Sequence, residues 1–275
     1  MLMFFSDIWG HVAYGNWIID HQSLPTQEPF VSLAEGMPVM CTAWLSQVLL
    51  AEAGRLGGPE AYSALFAVSI TLAYLIFARV AYLQTSSIGL GVLSAFLAWG
   101  INWGRHAVIR PEMFGGLCFA VLLWLVVRSD PARQRLANLP QASTEMSLAN
   151  RLVLWVGVPI LFLLWANLHG SFIVGFAVLG AYALGRGVEV FWQERRLLSV
   201  LSDPQFRRWV LLTELAVAVT LINPYGLDLL IHTFLFPSNS NLKDIFEWFS
   251  LDMVSVEGIT VGCFWILMLV ALRHS

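Results

Sequence analysis

Apolar residues fill this chain in long blocks, and polar residues collect in the connections between them. The blocks fall at about 61–83, 88–104, 112–128, 152–168, 171–192, 209–222 and 257–272. A helix needs roughly 20 apolar residues to cross the hydrocarbon of a bilayer, so the pattern predicts seven transmembrane helices. The 88–104 and 209–222 blocks are shorter than this and are expected to extend into their polar flanks. Ahead of the first block, 41–56 (CTAWLSQVLLAEAGRL) has apolar residues at 44, 45, 48, 49, 53 and 56, which is helical spacing. Its other side carries Gln47, Glu52 and Arg55, so it reads as an interfacial helix along the bilayer, ended by Gly57-Gly58-Pro59. The chain divides into an N-terminal loop with interfacial helices (1–60) and a transmembrane helical domain (61–275).

Composition supports that division. The chain of 275 residues is 58% hydrophobic and 12% charged, with a mean hydropathy of +0.71. Soluble domains carry roughly a quarter charged residues, so an all-α polytopic membrane protein is expected. The net charge of -3 and the lack of any Lys/Arg-rich run exclude a nucleic-acid partner. The 12 Trp and 18 Phe suit interfacial belts and helix packing. Cys41, Cys118 and Cys263 are scattered, which indicates neither a disulfide framework nor a zinc site. Gly175, Gly180, Gly185 and Gly187 read as helix-packing positions.

Charge also orients the chain. One set of connections holds Arg128, Arg133, Arg135, Arg151, Arg195, Arg196, Arg207, Arg208 and Arg273; the other holds Arg55, Arg105, Arg110 and Lys243. The positive-inside bias places the first set in the cytoplasm, and Arg79 and Arg186 agree. The N-terminal loop is then extracytoplasmic. The same outer side receives WGRHAVIRPE (103–112), WANLHGSF (165–172), NPYG (223–226) and a segment with Lys243, Asp244, Glu247 and Trp248. Groups able to bind or react thus gather on one side of the membrane.

Within the N-terminal loop, Asp7 and His11 are four apart and share one face if helical. Asp7 can serve as a general base or, following Ser6 ahead of an apolar run, as a helix N-cap. Arg105, His106 and Arg110 converge on a short turn before Pro111-Glu112. Guanidinium groups there suit a phosphate, or they snorkel to lipid headgroups. Glu112, at the start of an apolar run, needs a partner, and Arg110 is the nearest one. Asn167 and His169 end an apolar span, where a histidine is either a hydrogen-bonded structural residue or a ligand. Asn223-Pro224-Tyr225-Gly226 reads as a helix stop and turn, with Tyr225 available to a ligand. Glu247-Trp248 reads as an acceptor contact or an interfacial anchor. No phosphate-cradling glycine loop, recognisable Ser-His-Asp motif or tightly spaced metal-ligand cluster occurs in the sequence.

These residues carry a resemblance. The stretch DIWGHVAYGNWIIDHQSLPTQEPFVSLAEGMPVMCTAWLSQVLL resembles the first outer loop of bacterial polytopic membrane proteins related to GT-C glycosyltransferases, through Asp7, Trp9, His11, Gly15, Pro25, Pro29, Phe30, Gly36, Pro38, Trp44 and Leu45. Arg110-Pro111-Glu112, Asn167-Leu168-His169-Gly170 and Asn223-Pro224-Tyr225-Gly226 look like further landmarks of that group. The resemblance implies a GT-C-like enzyme of the bacterial inner membrane that moves a sugar from a polyprenyl-phosphate donor to an extracytoplasmic acceptor. On that analogy Asp7 is the base, and Arg110, with Arg105 or His169, holds the donor phosphate. His11, His106, Glu112, Asn167, Tyr225 and Glu247 complete the expected substrate site. Membrane lipid is an implied partner, protein partners in a membrane complex are open, and so is a divalent metal.

The chain departs from the family pattern in two respects. A single Asp7 follows Phe5-Ser6 where paired acidic residues are common, and Glu28 stands where an Asp is usual. The chain also begins close to the motif. The resemblance therefore implies that the family's first membrane helix is missing, through a fragment, a misassigned start or a truncated relative. The second expectation is a non-catalytic membrane subunit of a larger complex, a scaffold or a lipid- or pigment-binding protein derived from the same fold. A transporter is disfavoured by the scarcity of intramembrane charges and of any repeat.

Overall fold

The computed structural model describes residues 7–103, 106, 108–129, 147–239, 242 and 251–274. Ten α-helices occur among them: α1 (Ile8–His21), α2 (Trp44–Thr85), α3 (Ile88–Ile101), α4 (Glu112–Arg128), α5 (Leu148–Leu168), α6 (Phe172–Glu194), α7 (Leu197–Ser202), α8 (Pro204–Thr220), α9 (Leu227–Leu235) and α10 (Val256–His274). Among the described residues there is no strand, and the protein is all-α. Each predicted apolar block is helical to within a few residues. Three helices, α2, α5 and α6, are long and apolar enough to cross a membrane. Arg133, Arg135, Lys243, Asp244 and Trp248 lie outside the described residues.

The medium around the bundle can be read from α5. Its inward residues Leu154, Val158, Leu161, Phe162 and Trp165 are buried, while Leu148, Leu152, Val156, Ile160 and Leu164 form an outward stripe that is exposed. Both faces are apolar, and a helix apolar all round belongs in hydrocarbon. Packing within the bundle then depends on close approach rather than on the hydrophobic effect. A Cβ at Gly175 of α6 would come within 2.6 Å of Phe162 and 2.8 Å of Trp165, and one at Gly187 within 3.1 Å of Phe206. Gly180 and Gly185, also predicted as packing positions, have nothing within 4 Å.

At the far end of α6, Arg186 donates to both carboxylate oxygens of Asp203, at 3.0 and 2.7 Å. Asp203 Oδ1 also accepts from Phe206 N–H at 2.8 Å and caps α8. One carboxylate therefore joins α6 to the start of α8 and satisfies a helix-end donor. The Arg186 guanidinium holds the Asp203 carboxyl below the usual carboxylate range.

The N-terminal layer is positioned by α2, which packs on α1, α3 and α4. Helical geometry fails at Gly58 (φ 64, ψ -159), with Pro59 next in the chain. The break falls where Gly57-Gly58-Pro59 predicts it. A Cβ at Gly54 would lie 2.1 Å from the Tyr62 hydroxyl, so the two arms fold closely over one another. The first arm carries α1 at close range: a Cβ at Gly15 would stand 2.0 Å from the backbone oxygen of Gln47. Arg55 reaches back to Asn16 (2.9 Å) and Asp20 (2.6 Å).

This packing corrects one expectation. Gln47, predicted on the polar side of its helix with Glu52 and Arg55, is 6% exposed and faces α1. Between α1 and α2 the chain forms a short hairpin, closed by Glu28 N–H to Met37 O (2.9 Å) and Val39 N–H to Thr26 O (3.2 Å). Glu28 accepts from the backbone N–H groups of Phe30 and Val31 and from the Tyr14 hydroxyl.

Substituting Gly15 by valine is expected to destabilise the protein by about 2 kcal/mol or more, because the obstructing atom is backbone and cannot rotate away. Gly10→Ala, one and a half turns earlier with nothing within 4 Å, should leave stability unchanged or slightly raised. Thermal unfolding in detergent compares the two.

Candidate functional site

Asp7 stands at the N-cap position of α1, but its side chain makes no cap hydrogen bond. Its Oδ2 lies 2.9 Å from Nε of Arg110, in the segment that leads into α4. The Asp7 side chain is 58% exposed and that of Arg110 27%. An ion pair so exposed adds at most about 1 kcal/mol to stability. Arg110 follows Ile109, which is 1% exposed and anchors the segment in the core. Glu112 opens α4 in its first turn, where the helix dipole favours an anion.

Two imidazoles approach this pair. Burial pushes His11 below its ordinary value, Asp7 opposes the shift, and His169 and Arg110 deepen it. Burial likewise lowers His169, against Glu112. Asp7, His11, Arg110, Glu112 and His169 are therefore one electrostatic group, although they come from α1, the entry to α4 and the turn between α5 and α6. Gly115 on α4 makes room for that turn: a Cβ there would meet Ser171 Oγ at 2.4 Å and His169 Nδ1 at 3.2 Å.

Beside this group lies a cavity of about 290 Å³ between α2, α4 and the connection from α3. It is lined by the apolar Phe66, Ile70, Phe77, Met113 and Phe119 and by the polar Tyr74, Asn102, His106, Arg110 and Glu112. His106 Nε2 is 2.9 Å from the Tyr74 hydroxyl. Burial lowers His106, and Glu112 acts in the opposite sense. A chamber lined by both charged and aromatic or aliphatic side chains suits a molecule that is polar in one part and apolar in another.

Two other predicted site residues hold the framework. Asn167 Oδ1 accepts from the Trp44 indole N–H at 2.8 Å, and its amide donates to Leu163 O (2.8 Å) and Ile222 O (3.1 Å). The Tyr225 hydroxyl accepts from Cys41 N–H at 2.9 Å. Both tie the N-terminal layer to helix ends. Arg105 and Glu247 lie outside the described residues. Among the described residues no group of three or more His, Cys, Asp or Glu side chains could hold a metal ion.

Tyr74, Asn102, Gln47 and Ser171 join the site without having been singled out in the sequence. Tyr74 is a lone hydroxyl inside an apolar span, and Asn102 follows directly on a span end; either position could have marked them. Gln47 and Ser171 carried no such signal. No known protein family matches the chain, and neither a curated protein nor a solved structure matches it.

The lowered histidines set a pH dependence. Unfolded, His11 and His169 take up protons near 6.5; folded, burial holds both below that value. Above 6.5 both states are neutral and stability is complete. As pH falls below 6.5 the unfolded state binds protons first, so stability declines down to the folded values. Melting temperatures between pH 7.5 and 5.5 should fall, and His11→Gln should flatten the slope.

Proposed function

We propose that the protein is a GT-C-like glycosyltransferase that moves a sugar from a polyprenyl-phosphate donor to an acceptor hydroxyl on the extracytoplasmic side. In this reading the seven apolar helical segments all span the bacterial inner membrane, and the N-terminal layer of α1, the hairpin and the first arm of α2 covers their outer ends. The observation that carries it is the Asp7–Arg110 pair, whose Arg110 also lines a cavity rich in aromatic and aliphatic side chains. The polyprenyl chain occupies the wall of Phe66, Ile70, Phe77 and Phe119, and its phosphate meets Arg110.

The reaction follows from that placement. The acceptor oxygen attacks the anomeric carbon, its proton passes to the Asp7 carboxylate, and the bond from that carbon to the phosphate oxygen breaks. The electron pair leaves on the phosphate. Arg110 stabilises the growing charge, the effect that contributes most where donors are already oriented. The donor is the source of the sugar, with membrane lipid as its solvent.

The other reading is a non-catalytic membrane subunit, and the same pair favours it: a carboxylate already joined to Arg110 pins α1 to α4 as a scaffold would. Sugar transfer from a polyprenyl-phosphate donor, measured in membranes, decides between them. Asp7→Asn and Arg110→Ala are each expected to lower transfer by about 10²-fold or more, with little change in melting temperature. Unchanged transfer in both variants overturns the enzyme. A purified complex with fixed partners and no transfer activity selects the subunit.

A further inference from the structure

His169 and His11 are held by their Nδ1 atoms, each from a residue that the proposed reaction does not use. The backbone N–H of Ser171 donates to His169 Nδ1 at 3.1 Å, and the Ser171 hydroxyl lies 2.8 Å from the same nitrogen. That hydroxyl accepts from the Trp165 indole N–H at 3.0 Å, so its own proton is left to point at the ring. A nitrogen that accepts from an amide cannot carry a proton, and the neutral ring of His169 has its hydrogen on Nε2.

The second ring repeats the arrangement with a different partner. Gln47 Nε2 lies 3.4 Å from His11 Nδ1. With the Gln47 amide N–H facing the ring, Nδ1 accepts and the proton is again on Nε2. The position is costly for a glutamine: it is 6% exposed, and its Oε1 is buried with no hydrogen-bond partner among the described residues. A buried unmet acceptor costs about 1–3 kcal/mol. A leucine of similar size would avoid that cost, so the fold alone does not ask for this residue.

We propose that Ser171 and Gln47 are positioning residues that fix His169 and His11 as hydrogen-bond donors through Nε2 to the oxygen atoms of one ligand, the phosphate-linked head of the donor lipid. The identity of that ligand rests on the glycosyltransferase reading; the two ring states do not. Burial keeps both rings uncharged at neutral pH. This suits a site that already holds Asp7, Arg110 and Glu112, because uncharged N–H groups bind oxygen without adding another buried charge. The head group gains two directed donors beside the Arg110 cation.

Nitrogen NMR of the full chain, labelled with 15N-histidine in neutral-lipid nanodiscs at pH 7.5, tests both parts. Signals are assigned through His11→Gln and His169→Gln. The expected spectra show unprotonated Nδ1 and protonated Nε2 for both rings, and Gln47→Leu mixes the two forms at His11 alone. Polyprenyl monophosphate is expected to shift both Nε2 signals. The same shifts with inorganic phosphate also support the donors and assign recognition to the phosphate rather than the chain.

A proton on Nδ1 of either ring overturns the proposal, as do two Nε2 signals that neither probe moves. Sugar transfer is read in parallel. Both ring states and both shifts without any transfer keep the donors and remove the enzyme. Transfer by a chain with Nδ1 protonated keeps the enzyme and removes the donors. With transfer present, His169→Gln, whose amide reaches the Nε2 position, should retain about 10-fold more activity than His169→Ala.

Discussion

Buried polar groups at helix ends must find partners, and the Asn167 side chain joins the end of α5 to the start of α2 and to the segment beyond α8. Its amide donates to Leu163 O of α5 and to Ile222 O just beyond α8, and its own oxygen receives the indole of Trp44, the first residue of α2. Ser46 adds a bond from its hydroxyl to Leu168 O at 2.6 Å. Remove these links and Leu168 O at the end of α5 and Ile222 O beyond α8 lose these donors, at about 1–3 kcal/mol for each acceptor left buried and unmet. The start of α2 would lose its seat. Everything N-terminal to α2 depends on that seat.

The consequences run outward from it. Once Trp44 and Ser46 are fixed, the first arm of α2 is directed across the helix ends and presents Gln47 to the partner that packs on it. Gly15 lets α1 come into backbone contact there, which brings His11 to Gln47 and sets Asp7 against Arg110. The turn after α5 carries His169 in from the other side, beside Gly115 of α4. Four separate stretches of sequence thus meet because close approach is permitted at two glycines and enforced by a few hydrogen bonds.

Much of this was legible in the sequence. The apolar blocks located the helices, since a residue that must face lipid or a lipid-facing neighbour has little freedom of composition. Gly57-Gly58-Pro59 marked the break in α2, because no ordinary residue prefers φ near +64° and proline has no N–H for the preceding turn. Asp7, His11, Arg110, Glu112 and His169 were legible as polar residues in or beside the connections between apolar blocks, though not as one electrostatic group. Gln47 was misplaced because its amphipathic pattern is the same whether the polar side meets water or a second polar helix. Asn167 and Tyr225 illustrate the opposite limit: a side chain that satisfies a helix end looks, in sequence, like one that awaits a ligand.

The distribution of charge in the site follows from the same constraint. A layer seated on helix ends is partly desolvated, so every charge in it needs a counter-charge or becomes neutral. Arg110 and Asp7 take the first course, as an ion pair at 2.9 Å that is still partly exposed. His11 and His169 take the second, with burial outweighing the attraction of Asp7 for one and of Glu112 for the other. Asp7 has no acidic neighbour before it, and the structure supplies it with a cation from α4's entry instead. The consequence is a site in which one guanidinium faces two carboxylates, with no excess of positive charge before any ligand arrives. An incoming anion is then met by donors that are already oriented, rather than by a surplus of positive charge.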